Sequence, residues 1–136
     1  MKKAASAVIA SSIILLLVSF GLLYAMIAIF PKVAEEYFSP VFRWSDAGTD
    51  WMFYVHPLVL SIALKWFWER YKEILPGGTI MKALELAFVY GIVAMLPVLW
   101  LTFSAIDISA VMVLSWLAYG IFQAFVAGLV FATLNP

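Results

Sequence analysis

The stretch Ala7–Phe30, AVIASSIILLLVSFGLLYAMIAIF, carries no charged side chain. At 1.5 Å rise per helical residue it is long enough to cross a hydrocarbon core roughly 30 Å thick. Lys2 and Lys3 precede it as the n-region of a secretory signal would. The apolar run is nevertheless too long for an h-region, and no convincing small-x-small cleavage site follows, so it reads as a retained first transmembrane helix. Pro31 ends it, because proline cannot continue the hydrogen-bond ladder.

Three more segments of the same kind follow. Helix two is expected over about 51–74 and ends at Pro76-Gly77-Gly78, a strong turn signal. Helix three is expected over about 80–103, and helix four over about 108–134 with Asp107 as its cap. The loop between these two is so short that they must be antiparallel neighbours. Between helices one and two, Val33, Ala34, Tyr37, Phe38, Val41 and Phe42 recur at helical spacing opposite Lys32, Glu35 and Glu36. Two readings fit: a short amphipathic helix lying in the interface and broken at Pro40, or an irregular loop with scattered aromatics. The expected fold is an all-α integral membrane protein, a four-transmembrane-helix bundle running up-down-up-down as one domain, residues 1–136.

Composition agrees with a bilayer as solvent. Of the 136 residues 66% are apolar and only 12% charged, and the mean hydropathy is +1.06. A soluble domain of this length needs more polar material to cover its surface. The formal net charge is zero, so nucleic acid is not implied as a partner. There is no cysteine, which removes disulfides, thiolate metal sites and thiol nucleophiles together.

Lys and Arg placement sets the expected direction. With both termini inside, Lys2, Lys3, Lys65, Arg70, Lys72 and Lys82 lie on the cytoplasmic side, and only Lys32 and Arg43 outside. Tyr37, Trp44, Trp51, Tyr54 and Trp100 would form the outer aromatic belt, with Trp66, Trp68 and Tyr71 the inner one. The expectation is an N-in/C-in, multi-pass protein of a bacterial inner membrane.

Helices in lipid associate by close packing and a few hydrogen bonds, and small residues let their backbones approach. Helix three carries Ala83, Ala87 and Gly91, and helix four carries Gly120, Ala124 and Gly128, each spaced by four. Pairing across the tight turn sets both stripes at one depth. They form either a tight three–four contact or a homodimer seam.

Polar groups at membrane depth are the candidates for function. His56, the only histidine, directly precedes Pro57. With Trp51, Tyr54 and Trp100, and with kinks at Pro57 and Pro97, it suggests an outward-facing vestibule for a ligand. The alternative is a neutral interfacial imidazole bonded to a carbonyl or water. Gln123, Tyr119 and Tyr90 fall at similar depth, as a hydrogen-bonded seam between helices three and four or a polar pocket lining. Glu85 has Lys82 one turn away as its natural partner, and reads as that pair or as a coupling carboxylate.

No Ser/His/acid set, metal-ligand pair or Gly-rich phosphate loop is present, so catalysis is disfavoured and no metal or cofactor is expected. In size and helix count the chain is similar to the small multidrug-resistance exporters, which rest on a carboxylate deep in their first helix. Here no ionisable residue lies between Lys3 and Lys32, and the likeness ends there. Two functions are expected. One is a non-enzymatic accessory or assembly subunit acting through helix packing, with other membrane subunits or itself as partner. The other is a small transporter or lipophilic-ligand binder with its vestibule near His56.

Overall fold

In the computed structural model, which describes residues 2–43 and 48–136, the regular structure is all helical. Trp44, placed above in an aromatic belt, lies outside the described residues. The elements are α1 (Lys2–Ile29), α2 (Pro31–Glu36), α3 (Trp51–Tyr71), α4 (Thr79–Tyr90), a π-helical turn over Gly91–Met95, α5 (Leu96–Ala105) and α6 (Ala110–Leu134). Among the described residues, three helices are long and apolar enough to cross a membrane: Lys3–Ile29, Thr79–Ala105 and Ala110–Leu134. The 21-residue α3 is outside that set, its apolar run interrupted by His56, Pro57 and Lys65.

The two stripes of small residues are buried between α4 and α6, whose contact is the most extensive in the chain. A Cβ built on Gly128 would stand 2.8 Å from the Ala83 Cα, so the backbones touch there. Further along, Gly91 lies under Ile121 and Gly120 under Met95. Residues spaced by four drift about 40° per step around a regular α-helix. The stripe Ala83, Ala87, Gly91 would therefore rotate away from α6. The π turn at Gly91–Met95 corrects this, because its i to i+5 bonding makes a wider turn and a four-residue step falls short of a full one. Met95 and then Leu99, which is buried, come back towards α6. The same turn accommodates Pro97, which has no N–H to bond to an earlier carbonyl.

At the end of the molecule marked by Trp68, α1, α3 and α6 close on one another. Leu15, Leu60, Leu64, Trp68 and Phe131 form a continuous buried core there. The Ser61 hydroxyl donates to that of Ser11 at 3.0 Å, tying α3 to α1. The Trp68 indole donates to the Asn135 carbonyl at 2.9 Å, tying α3 to α6.

The other end is capped by α2. Val33 packs with Ile108 and Met112, and Met26, Phe42 and Trp116 surround them. Asp107 does not cap α6. Ile106 is extended, so the helix starts later, and the Ser109 hydroxyl accepts from the Met112 N–H at 3.1 Å. Glu36 reaches across from α2 and accepts from the Ser109 N–H at 3.1 Å. A carboxylate at a helix N-terminus meets the positive end of the helix dipole, so this contact holds α2 down.

Candidate functional site

Between the Trp68 end and the α2 end, α1 and α6 touch through a polar knot. The Ser19 hydroxyl donates to the Leu15 carbonyl at 2.7 Å. It accepts from the Tyr119 hydroxyl at 2.7 Å and from the Gln123 amide at 3.1 Å. That amide also donates to the Tyr119 oxygen at 2.8 Å. Gln123 is 1% exposed, and in lipid an unpaired amide at this depth would cost several kcal/mol, of order 4–8 against a hydrocarbon reference. The three groups satisfy one another instead.

Beyond the knot the helices part. A groove of about 980 Å³ runs between α1 and α6 towards α2, walled by Ser19–Phe30 on one side and Val111–Phe122 on the other. Phe53 of α3, Val33 of α2 and Tyr37, which caps the end of α2, complete it. It is open laterally, since Leu23, Leu114 and Phe122 on its walls remain exposed. Eleven residue steps along either helix make it roughly 17 Å long. That is close to half of a hydrocarbon core about 30 Å thick.

The chemistry of the wall is uniform. Its hydroxyl and indole donors are committed within the protein: Ser19 and Tyr119 in the knot, Ser115 to the Met112 carbonyl at 2.6 Å, and Trp116 to the Tyr37 oxygen. Tyr37, at the α2 rim, accepts that indole bond and donates to no described residue. Burial pushes its phenol above the ordinary range, with the Trp116 bond pulling the other way. Its proton therefore stays on the oxygen at neutral pH, a donor at the mouth of an otherwise apolar groove.

The residues singled out in sequence are placed differently. His56, Trp51, Tyr54 and Trp100 are all exposed and none lines the groove. The structure does not gather them into a vestibule: α3 packs on α1 and α6 whereas α5 packs on α6, and Tyr54 sits beside Phe20 at 6.0 Å between ring centres. Tyr90 is half-buried against the core of the Trp68 end and takes no part in the knot. Gln123 and Ala124 are one residue apart, about 100° around α6. With Ala124 facing α4, Gln123 must face another neighbour, and α1 is that neighbour. Glu85 is half-buried and does not pair with Lys82, whose ammonium donates to the Lys72 carbonyl at 2.9 Å. The turn after α3 brings that carbonyl alongside the first turn of α4. Ser19 was missed, although Ala7, Ser11, Leu15 and Ser19, spaced by four and all buried, mark the α1 face that packs inward.

Among the described residues no three histidine, aspartate or glutamate side chains come together as metal ligands would. Family models, curated proteins and solved structures give no match to this chain.

Proposed function

We propose that this chain is a non-enzymatic, lipophilic-ligand-binding membrane protein that holds the hydrocarbon part of a lipid in the α1–α6 groove. The single observation that carries the reading is the groove itself: half a bilayer deep, apolar along its length, and, among the described residues, with no donor left without an acceptor except Tyr37 at its mouth. A hydrocarbon chain needs no hydrogen bonds, and nothing along this wall is left unpaired when one lies there. Assembly through the small-residue stripes is less favoured, because α4 and α6 already bury those residues against each other. The proposed ligand site therefore moves from the surroundings of His56 to the α1–α6 groove, to which α3 contributes Phe53.

With this goes a four-span topology, up-down-up-down, in which α3 crosses with α1, the α4–α5 rod and α6, and both termini are cytoplasmic. The Lys and Arg asymmetry supports that direction and sets the groove in the outer leaflet. The absence of cysteine makes the orientation directly testable. Single cysteines at Ser104 and at Glu73, both exposed, are expected to react oppositely with an impermeant maleimide added outside intact cells. Ser104→Cys should label and Glu73→Cys should not; the reverse pattern would invert the topology.

Binding is tested by filling the groove. Ala118 lies on its wall, and Ala118→Trp should reduce the amount of lipid retained through detergent purification by about tenfold, equivalent to about 1.4 kcal/mol. Leu101→Trp, on an exposed face away from the groove, should retain lipid as the parent does. Equal retention by the two variants would remove the proposal.

A further inference from the structure

We infer that the groove measures its ligand: the ring of Tyr119, fixed by the knot with Ser19 and Gln123, forms a floor that selects outer-leaflet diacyl lipids by the length of their chains. The inference rests on the lipid-binding reading above and adds which lipids the site takes.

Three observations lead to it. The first is that the bundle is closed on one side of the knot and open on the other. Ala7, Ser11 and Leu15 on α1 are fully buried before Ser19, and Ala124 and Ala127 on α6 are fully buried after Gln123. No space continues past the knot towards the Trp68 end, so a chain lying in the groove meets a wall. The second is that the wall is braced. Tyr119 spans the gap with its hydroxyl bonded to both partners, and Ser19 is bonded in turn to the backbone of its own helix. A longer chain cannot displace the ring without breaking bonds inside an apolar medium, where the freed groups find no water. The third is that the opposite end is fixed as well. Glu36 holds α2 on the start of α6, and Trp116 and Tyr37 are bonded across the mouth.

The occupant is a lipid rather than a peptide helix on two grounds. A transmembrane helix about 10–12 Å across spans both leaflets, whereas this groove stops at half depth. Among the described residues its one donor without an acceptor, on Tyr37, lies at the α2 rim, which the proposed topology brings to the ester and phosphate oxygens of a lipid, and the wall below it is apolar. The volume, about 980 Å³, is at the upper end of small-molecule sites and suits the acyl part of one lipid.

Chain length has little effect on transfer between lipid and an apolar groove, since neither side exposes the chain to water. Selection must then come from the floor. Chains shorter than the groove leave part of its wall without contacts, and longer ones must bend out of it, so the preference has a maximum.

The test uses phosphatidylcholines with two identical saturated chains of 10, 12, 14, 16 or 18 carbons, each with a diazirine at the chain end, and the full chain in nanodiscs. Photolabelled residues are read by peptide mass spectrometry. The expected result is labelling of the groove wall, centred on Phe122 and Tyr119, that is about fivefold stronger at one intermediate length than at either extreme. Tyr119→Ala should move the maximum to longer chains, and Tyr119→Phe, which keeps the ring but loses its bonds to Ser19 and Gln123, should broaden the maximum towards longer chains. Groove labelling that is equal at all lengths, or a maximum unmoved in Tyr119→Ala, overturns the length selection and leaves lipid binding standing. Labelling of Ile92 and Val93 on the exposed face as strong as that of the groove overturns both.

Discussion

Gly128→Leu is expected to lower the unfolding temperature in detergent by roughly 10 °C, corresponding to about 3 kcal/mol of lost stability. The size of the effect follows from what stands opposite. A Cβ at 128 would lie 2.8 Å from the Ala83 Cα and 3.1 Å from its Cβ, in the middle of a helix that cannot move locally. Relief requires the whole α4–α6 spacing to open, which forfeits the packing on either side. Gly128→Ala should therefore also destabilise, by about 1–2 kcal/mol, despite alanine's better helix propensity. Gly120 makes the contrast. The atom facing it is the terminal methyl of Met95, 2.6 Å from the built Cβ, at the end of a flexible side chain. Methionine can turn aside, so Gly120→Ala should be near neutral or gain up to about 0.5 kcal/mol from propensity. Equal losses at the two positions would show that the stripe acts through something other than close backbone approach. If both variants keep parental stability, the α4–α6 contact is not a stabilising element at all.

That contrast also shows where a linear reading stops. The stripes are visible in sequence because their period is simple, and so are the turn at Gly77-Gly78 and the apolar runs that become helices. Phase is harder to see. A stripe at four-residue spacing departs from a regular helix, and only the π turn at Gly91–Met95 keeps it facing α6; Pro97 announces a disturbance but not its kind. The polar knot was misplaced for a related reason. Gln123 and Tyr119 share depth with Tyr90, and depth can be counted along the chain, but their direction around α6 depends on which stripe already faces α4. Once that is known, the 100° step sends Gln123 to α1. The groove was not legible because it is an absence of packing. Its walls, Leu22, Met26, Leu114 and Ala118, read in sequence like any lipid-facing residues, and only the closure of the Trp68 end shows that α1 and α6 separate beyond Ser19. His56 illustrates the converse: a rare polar residue attracts attention in sequence, while in the fold it is exposed and the residue of α3 that lines the groove is Phe53, one turn earlier.

The closure of the Trp68 end carries the second large expectation. Lys65 is 4% exposed, with its ammonium 2.7 Å from a Glu69 carboxylate oxygen and 5.2 Å above the Phe131 ring. Glu69 is itself held by Asn135 and stands 3.9 Å from Lys72, so one carboxylate serves α3 and α6 together. Removing it leaves a buried cation with only a ring face as partner. Breaking a fully buried pair from one side costs roughly 3–5 kcal/mol. The Glu69 side chain is 39% exposed, so water relieves part of that loss, and Glu69→Ala is expected to cost about 2 kcal/mol. Lys65→Met should behave differently. It keeps the apolar stem, removes the charge, and is expected to be neutral or mildly stabilising, because an ion pair's attraction seldom exceeds the cost of taking both ions out of water. The double variant Lys65→Met, Glu69→Ala should then recover most of the stability that Glu69→Ala loses, a coupling of about 1–2 kcal/mol in a double-mutant cycle read by thermal unfolding. Additive losses would mean that Glu69 acts through Asn135 and Lys72 alone. Recovery would establish that the carboxylate is needed chiefly because the lysine is buried. It would also tie that burial to the α3–α6 contact at the Trp68 end, where Phe131 and Asn135 meet the Lys65–Glu69 pair.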